Sequence, residues 1–208
     1  MKKLVLTPRT ITLSAILTAL VVVLQYVSNI SSAFLPVSIT LTLIPVVIGA
    51  AVCHPIIGGW LGFVGGVVIL LTGAGEPFFT FNPAATILVV LLKGFLSGFI
   101  SGLVYWLLRR NRTVAIFAAA AIAPIVNTGV FFLGCLLFFM ELVTEWAGSQ
   151  NIAVYMFVGL AGINFLVEFA SNIILAPTAK RIMDASTPYG AFDKNRKRQY
   201  LDSKKNSL

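Results

Sequence analysis

The sequence predicts an all-α integral membrane protein, a six-helix bundle, and three observations lead there. Hydrophobic residues make up 58% of the chain at a mean hydropathy of +0.96, a composition that would coat a water-facing surface in hydrocarbon. Apolar stretches long enough to cross a bilayer recur between residues 10 and 179. Basic side chains collect at the ends of those stretches, where they act as topology signals.

The first span, 10–27, follows Lys2, Lys3 and Arg9. That start is similar to a secretory leader, but the apolar run is long for one and no convincing small-residue cleavage site follows it, so a retained helix is expected. Asn29, Ser31, Ser32 and Pro36 break it from the next element. As a single helix, Ser38 to Leu71 would be about 50 Å long against a hydrocarbon core of about 30 Å, which predicts a hairpin. Its two spans are 38–53 and 56–72, with the turn marked by His54, Pro55, Gly58 and Gly59.

Parity supports the hairpin. If Arg9 and the cluster Arg109, Arg110 and Arg112 are both cytoplasmic, an even number of crossings must lie between them. Spans 84–108, 113–140 and 152–179 complete the six. The expected organisation is a transmembrane domain over 1–180 and a basic cytoplasmic tail over 181–208, in a multi-pass protein of the cell (plasma) membrane with both termini cytoplasmic. On this map 14 of the 15 Lys and Arg residues are cytoplasmic, and the exception is Lys93.

Several function classes are disfavoured. The net charge of +8 sits at the ends of spans, so it speaks for anionic headgroups and not for nucleic acid. Cys53 and Cys135 lie in separate apolar stretches with no CxxC and no histidine partner, which implies neither disulfide nor metal. His54, the only histidine, has no serine or carboxylate motif beside it, so an enzyme is not expected and no cofactor is implied. There is no Walker A motif, so energy for transport must come from another protein. A channel would need a charged ring or filter that the outside segments lack.

Polar residues inside the spans carry the functional argument, because a charge in the bilayer is costly unless it is paired or faces a wet cavity. Lys93 lies about ten residues into its span, and Asn127 and Asn164 fall at a similar depth by rise per residue. Glu168 and Asn172 continue the Asn164 face at i+4 and i+8. Two readings stay open: an interhelical network with Lys93 neutralised by Glu168, or the floor of a ligand pocket. Phe78, Phe79 and Phe81 precede Asn82, and with Phe34 and Trp146 they make an aromatic outer mouth. They serve either as interface anchors or as a lid over a substrate. Small-residue stripes, Gly58 and Gly62 with Gly66, Gly94 with Gly98 and Gly102, and Ala15 with Ala19, suit either close helix packing or a smooth face for another membrane subunit.

The run Leu35-Pro36-Val37-Ser38-Ile39-Thr40 leading to Ile44-Pro45-Val46-Val47-Ile48-Gly49-Ala50, the Gly-rich third span, Asn82-Pro83 and Pro124-Ile125-Val126-Asn127-Thr128-Gly129 carry a resemblance. With the order of spans, they resemble the substrate-binding S components of energy-coupling-factor (ECF) vitamin transporters over residues 10 to about 180. The resemblance implies a pocket formed by the first, third and fifth loops and the last three helices, where Phe34, Phe78, Phe79, Phe81, Asn82, Lys93, Asn127, Trp146 and Asn164 fall. It implies a membrane coupling (T) subunit meeting Ala15 and Ala19, with Gly58 and Gly62 as further interface residues, and a pair of cytoplasmic ATPases. His54-Pro55 departs from the Gly-Pro more usual in the family. Among water-soluble vitamins and precursors the chain is most similar to pantothenate-type members, then riboflavin or folate types. The alternative is a structural or assembly membrane protein without a ligand pocket.

Overall fold

The computed structural model describes residues 7–34, 42–73, 76–160 and 162–186, and all the regular structure among them is helical. In chain order the helices are α1 (Pro8–Phe34), α2 (Leu43–Val52), α3 (Pro55–Leu71), α4 (Glu76–Phe81), α5 (Pro83–Leu108), α6 (Arg112–Phe138), α7 (Met140–Ala147), α8 (Ile152–Val154) and α9 (Gly162–Ser186). A π-helical segment, Tyr155–Leu160, continues α8.

Side chains that accept from exposed backbone N–H groups set the helix starts. His54 Nδ1 accepts from Ile56 N at 3.3 Å, with Pro55 in the first turn of α3, so the expected hairpin turn is present. Asn82 Oδ1 accepts from Ala85 N at 3.1 Å, with Pro83 opening α5 in the same way. Asn111 and Asn151 cap α6 and α8.

α3 packs on α5, and α5 on α6. Gly58 and Gly62 of α3 meet Gly98 and Gly94 of α5, Gly102 of α5 meets Pro55, and a Cβ on Gly66 would lie 2.9 Å from the Val90 carbonyl oxygen. Only glycine permits backbones to come this close. Ser97 Oγ donates to the Ala123 carbonyl at 2.8 Å, tying α5 to α6 one residue before the buried Pro124. A core of Leu17, Val21, Val46, Leu61, Ile116 and Ala119 joins α1, α2, α3 and α6.

Among the described residues three helical segments are long and apolar enough to cross a membrane: Thr10–Asn29 within α1, α5 and α6. The pair Ile152–Leu160 and Asn164–Met183, bent by 43°, makes a fourth if taken as one span. α2 and α3 are shorter apolar helices. At 1.5 Å per residue the 10-residue α2 is about 15 Å long, half a hydrocarbon core.

The structure differs from the sequence expectations at several places. Gly58 and Gly59 lie inside α3, so the hairpin turn is made by Cys53 and His54 alone. The segments around Glu76 and Glu145, expected as loops, are the helices α4 and α7. The span expected over 113–140 ends at Phe139, which has φ −124° and ψ 18°. α9 runs to Ser186, past the expected domain end at 180. Residues 35–41, which open the second span, and the tail from 187 to 208 lie outside the described residues, as does the side chain of Phe34.

Candidate functional site

A cavity of about 340 Å³ lies between the helices. Its floor gathers residues that the sequence spaces far apart: Lys93 from α5, Asn127 from α6, and Asn164 and Glu168 from α9. Lys93 Nζ sits 5.3 Å from the centroid of the Phe131 ring, a cation–π contact. Asn127 Nδ2 donates to Glu168 Oε2 at 3.4 Å, and Glu168 is an electrostatic partner of Lys93. One turn on, Asn172 Nδ2 donates to the Glu168 backbone carbonyl at 2.8 Å. This polar layer thus holds a cation and a carboxylate among amides that supply both donors and acceptors.

Part of the cavity wall is glycine backbone. Gly62, Gly65 and Gly66 of α3 and Gly94 of α5 line it. The stripe that brings α3 against α5 therefore also forms a wall of the space that Lys93 lines.

Aromatic rings bound the cavity at the end that carries α4 and α7. Phe78 lines it and meets Phe131, Phe139 and Trp146 edge-on, at centroid distances of 5.5, 5.1 and 5.3 Å. Phe139, at the break between α6 and α7, also lines the cavity and is 1% exposed. The break turns this ring inward, which accounts for a helix end that no proline or glycine marks.

Another wall is polar and uncharged. Gln25 and Asn29 of α1 and Thr42 before α2 line it. Thr42 Oγ1 donates to Gln25 Oε1 at 2.9 Å, Gln25 Nε2 donates to Asn29 Oδ1 at 3.0 Å, and Asn29 Nδ2 donates to Thr72 Oγ1.

Of the expected substrate residues, Phe78, Lys93, Asn127 and Asn164 are brought together around the cavity, and Trp146 stands behind Phe78. Phe79 and Phe81 are exposed at 42% each, and Phe81 approaches Phe139 from outside at 6.4 Å. Asn82 is occupied as a helix cap. Of the expected interface residues, Ala15 and Ala19 lie on the exposed side of α1. Gly58 and Gly62 are instead buried, because a Cβ on either would strike the α5 backbone at Gly98 or Gly94. Their role in this chain is internal packing, which leaves no surface there for a partner.

Sequence reasoning overlooked Gln25, Asn29, Thr42, Thr86 and Phe165 as lining residues. Gln25 carried a readable signal, since a carboxamide in an apolar span is costly until hydrogen-bonded.

Residues 9–179 match the family described as ECF transporter, substrate-specific component. The chain belongs to this family. No curated protein and no solved structure gives a significant match. The resemblance read from the sequence is therefore shown at family level. ECF substrate-specific components bind a small-molecule substrate and work with a membrane coupling subunit and ATPase subunits.

Proposed function

We propose that the cavity is the substrate site, and that it takes a compact, water-soluble vitamin or precursor bearing a carboxylate or carbonyl oxygen for Lys93. The observation that carries this reading is Lys93 lining a 340 Å³ space together with Asn127 and Asn164, in a size range typical of small-molecule sites. A substrate anion pairing with the lysine offsets the cost of holding that charge away from water. Glu168, bonded by Asn127, stands as a countercharge to the lysine.

Pantothenate is the first candidate, because it combines a carboxylate with hydroxyl and amide groups that amide side chains can bond. Riboflavin ranks lower. Its flat ring system needs aromatic faces, yet Phe78 is committed edge-on to three other rings and Phe79 and Phe81 face outward. Folate shares this difficulty. A purely structural membrane protein has no use for a cavity around a lysine, which counts against that alternative.

In the same reading the chain crosses the plasma membrane six times, with α2 and α3 as the hairpin and both termini cytoplasmic, so that the α4 and α7 end faces out. Ala15 and Ala19, exposed on α1, contact the coupling subunit. Mass spectrometry of small molecules released from the purified protein tests the substrate. A carboxylate vitamin in stoichiometric amount supports the proposal, and a protein that retains nothing and is stabilised by no vitamin rejects it.

A further inference from the structure

The wall built by α1 and α2 has a hydrogen-bond direction that can be read from one end to the other. The Val68 carbonyl can only accept, and Thr72 Oγ1 lies 2.7 Å from it, so Thr72 donates there. Thr72 Oγ1 then accepts from Asn29 Nδ2, which turns Asn29 Oδ1 toward Gln25 as the acceptor for Nε2 at 3.0 Å. Gln25 Oε1 is left for Thr42 Oγ1, which donates to it at 2.9 Å. Each amide orientation is thereby fixed by the next group along, back to a backbone carbonyl.

Gln25 is the member of this relay with capacity to spare. Its carboxamide has two N–H donors, and one is used on Asn29. Among the described residues nothing else accepts from the second. The side chain is 4% exposed and lines the cavity, so a group bound in the cavity lies beside it. A donor in such a place discriminates well, because a substrate lacking an oxygen there leaves the N–H unpaired in a site from which water has been displaced.

We infer that Gln25 is a specificity-determining residue, donating its spare N–H to an uncharged hydroxyl or carbonyl oxygen of the substrate while Lys93 takes the negatively polarised end. The substrate is then bifunctional, with an anionic or carbonyl group for the α5, α6 and α9 side and a neutral oxygen for the α1 side. This inference rests on the cavity being the substrate site. Asn29 and Thr72 are positioning residues that aim the carboxamide, and Thr42 ties it to the start of α2.

Calorimetric titration of the full chain in detergent tests it, with pantothenate and an analogue lacking both pantothenate hydroxyls as the probes. Wild type should prefer pantothenate by about tenfold, the order expected for one donor left unpaired. In Gln25→Met the preference should shrink to about twofold or less, whereas Lys93→Met should weaken both probes alike and keep the preference. Thr42→Val breaks the same inter-helix tie but leaves the carboxamide, so it should keep most of the preference. A loss equal to that of Gln25→Met would mean that the tie, and not the donor, matters, and would overturn the inference. A full tenfold preference in folded Gln25→Met would also overturn it. If wild type binds neither probe, pantothenate is the wrong substrate, and a hydrophilic metabolite extract replaces the pair. Compounds retained by wild type and lost or exchanged in Gln25→Met then support the inference, and an identical retained set overturns it. Retention of nothing by wild type overturns the cavity reading together with this one.

Discussion

Gly62 of α3 and Gly94 of α5 oppose each other so closely that a Cβ on Gly62 would overlap the Gly94 carbonyl oxygen, and both residues also line the cavity. Packing and pocket are therefore made from the same two positions. Gly62→Ala has to push the two helices apart, because the obstacle is backbone and not the end of a flexible side chain. It should cost about 2 kcal/mol or more, in the upper part of the usual range for overpacking. Gly129→Ala on α6 provides the control, since a Cβ there meets nothing within 4 Å, and it should leave stability unchanged or raise it by up to about 1 kcal/mol. Melting temperatures in detergent compare the two, and equal effects would contradict the packing account.

Topology is tested by single cysteines in a background lacking Cys53 and Cys135. Replacements at Glu76 and Glu145, which lie on α4 and α7, should react with an impermeant thiol reagent applied to intact cells. Replacement of Arg110, at the α5–α6 turn, should react only after the membrane is opened. The reverse pattern would invert the map and put the aromatic end of the cavity in the cytoplasm.

The exposed Ala15 and Ala19 predict a separation of functions. Replacing both by leucine should abolish co-purification of the coupling subunit while leaving substrate affinity within about twofold, because neither side chain lines the cavity. Loss of substrate binding together with assembly would assign this face to folding.

Much of this was legible because the local chemistry is strong. Asn82-Pro83 and His54-Pro55 announce helix starts through an accepting side chain followed by a residue with no N–H to satisfy, and both starts are found there. Lys93, Asn127 and Asn164 could be brought together by counting rise per residue, since α5 and α6 run as unbroken helices through Lys93 and Asn127. Phe139 was illegible because its break serves a tertiary contact with Phe78 and carries no proline or glycine. Gly58 and Gly62 misled for a related reason: a small-residue stripe looks the same whether its partner is another subunit or the next helix but one. The Gln25 wall was missed because it joins residues 25, 42 and 72, and nothing in their spacing brings them together.

The most direct test of the central claim is Lys93→Met, alone and with Glu168→Gln, measured for both substrate affinity and melting temperature. The substrate is the one recovered from the wild-type protein. If Lys93 binds it in the cavity, the single substitution should weaken binding by about 2 to 5 kcal/mol, roughly thirtyfold to several-thousandfold, with the fold intact. If Lys93 serves only to neutralise Glu168, which is 8% exposed, its loss strands a buried carboxylate. Melting temperature should then collapse in the single variant and recover in the double. A stable Lys93→Met protein with wild-type affinity would contradict the account.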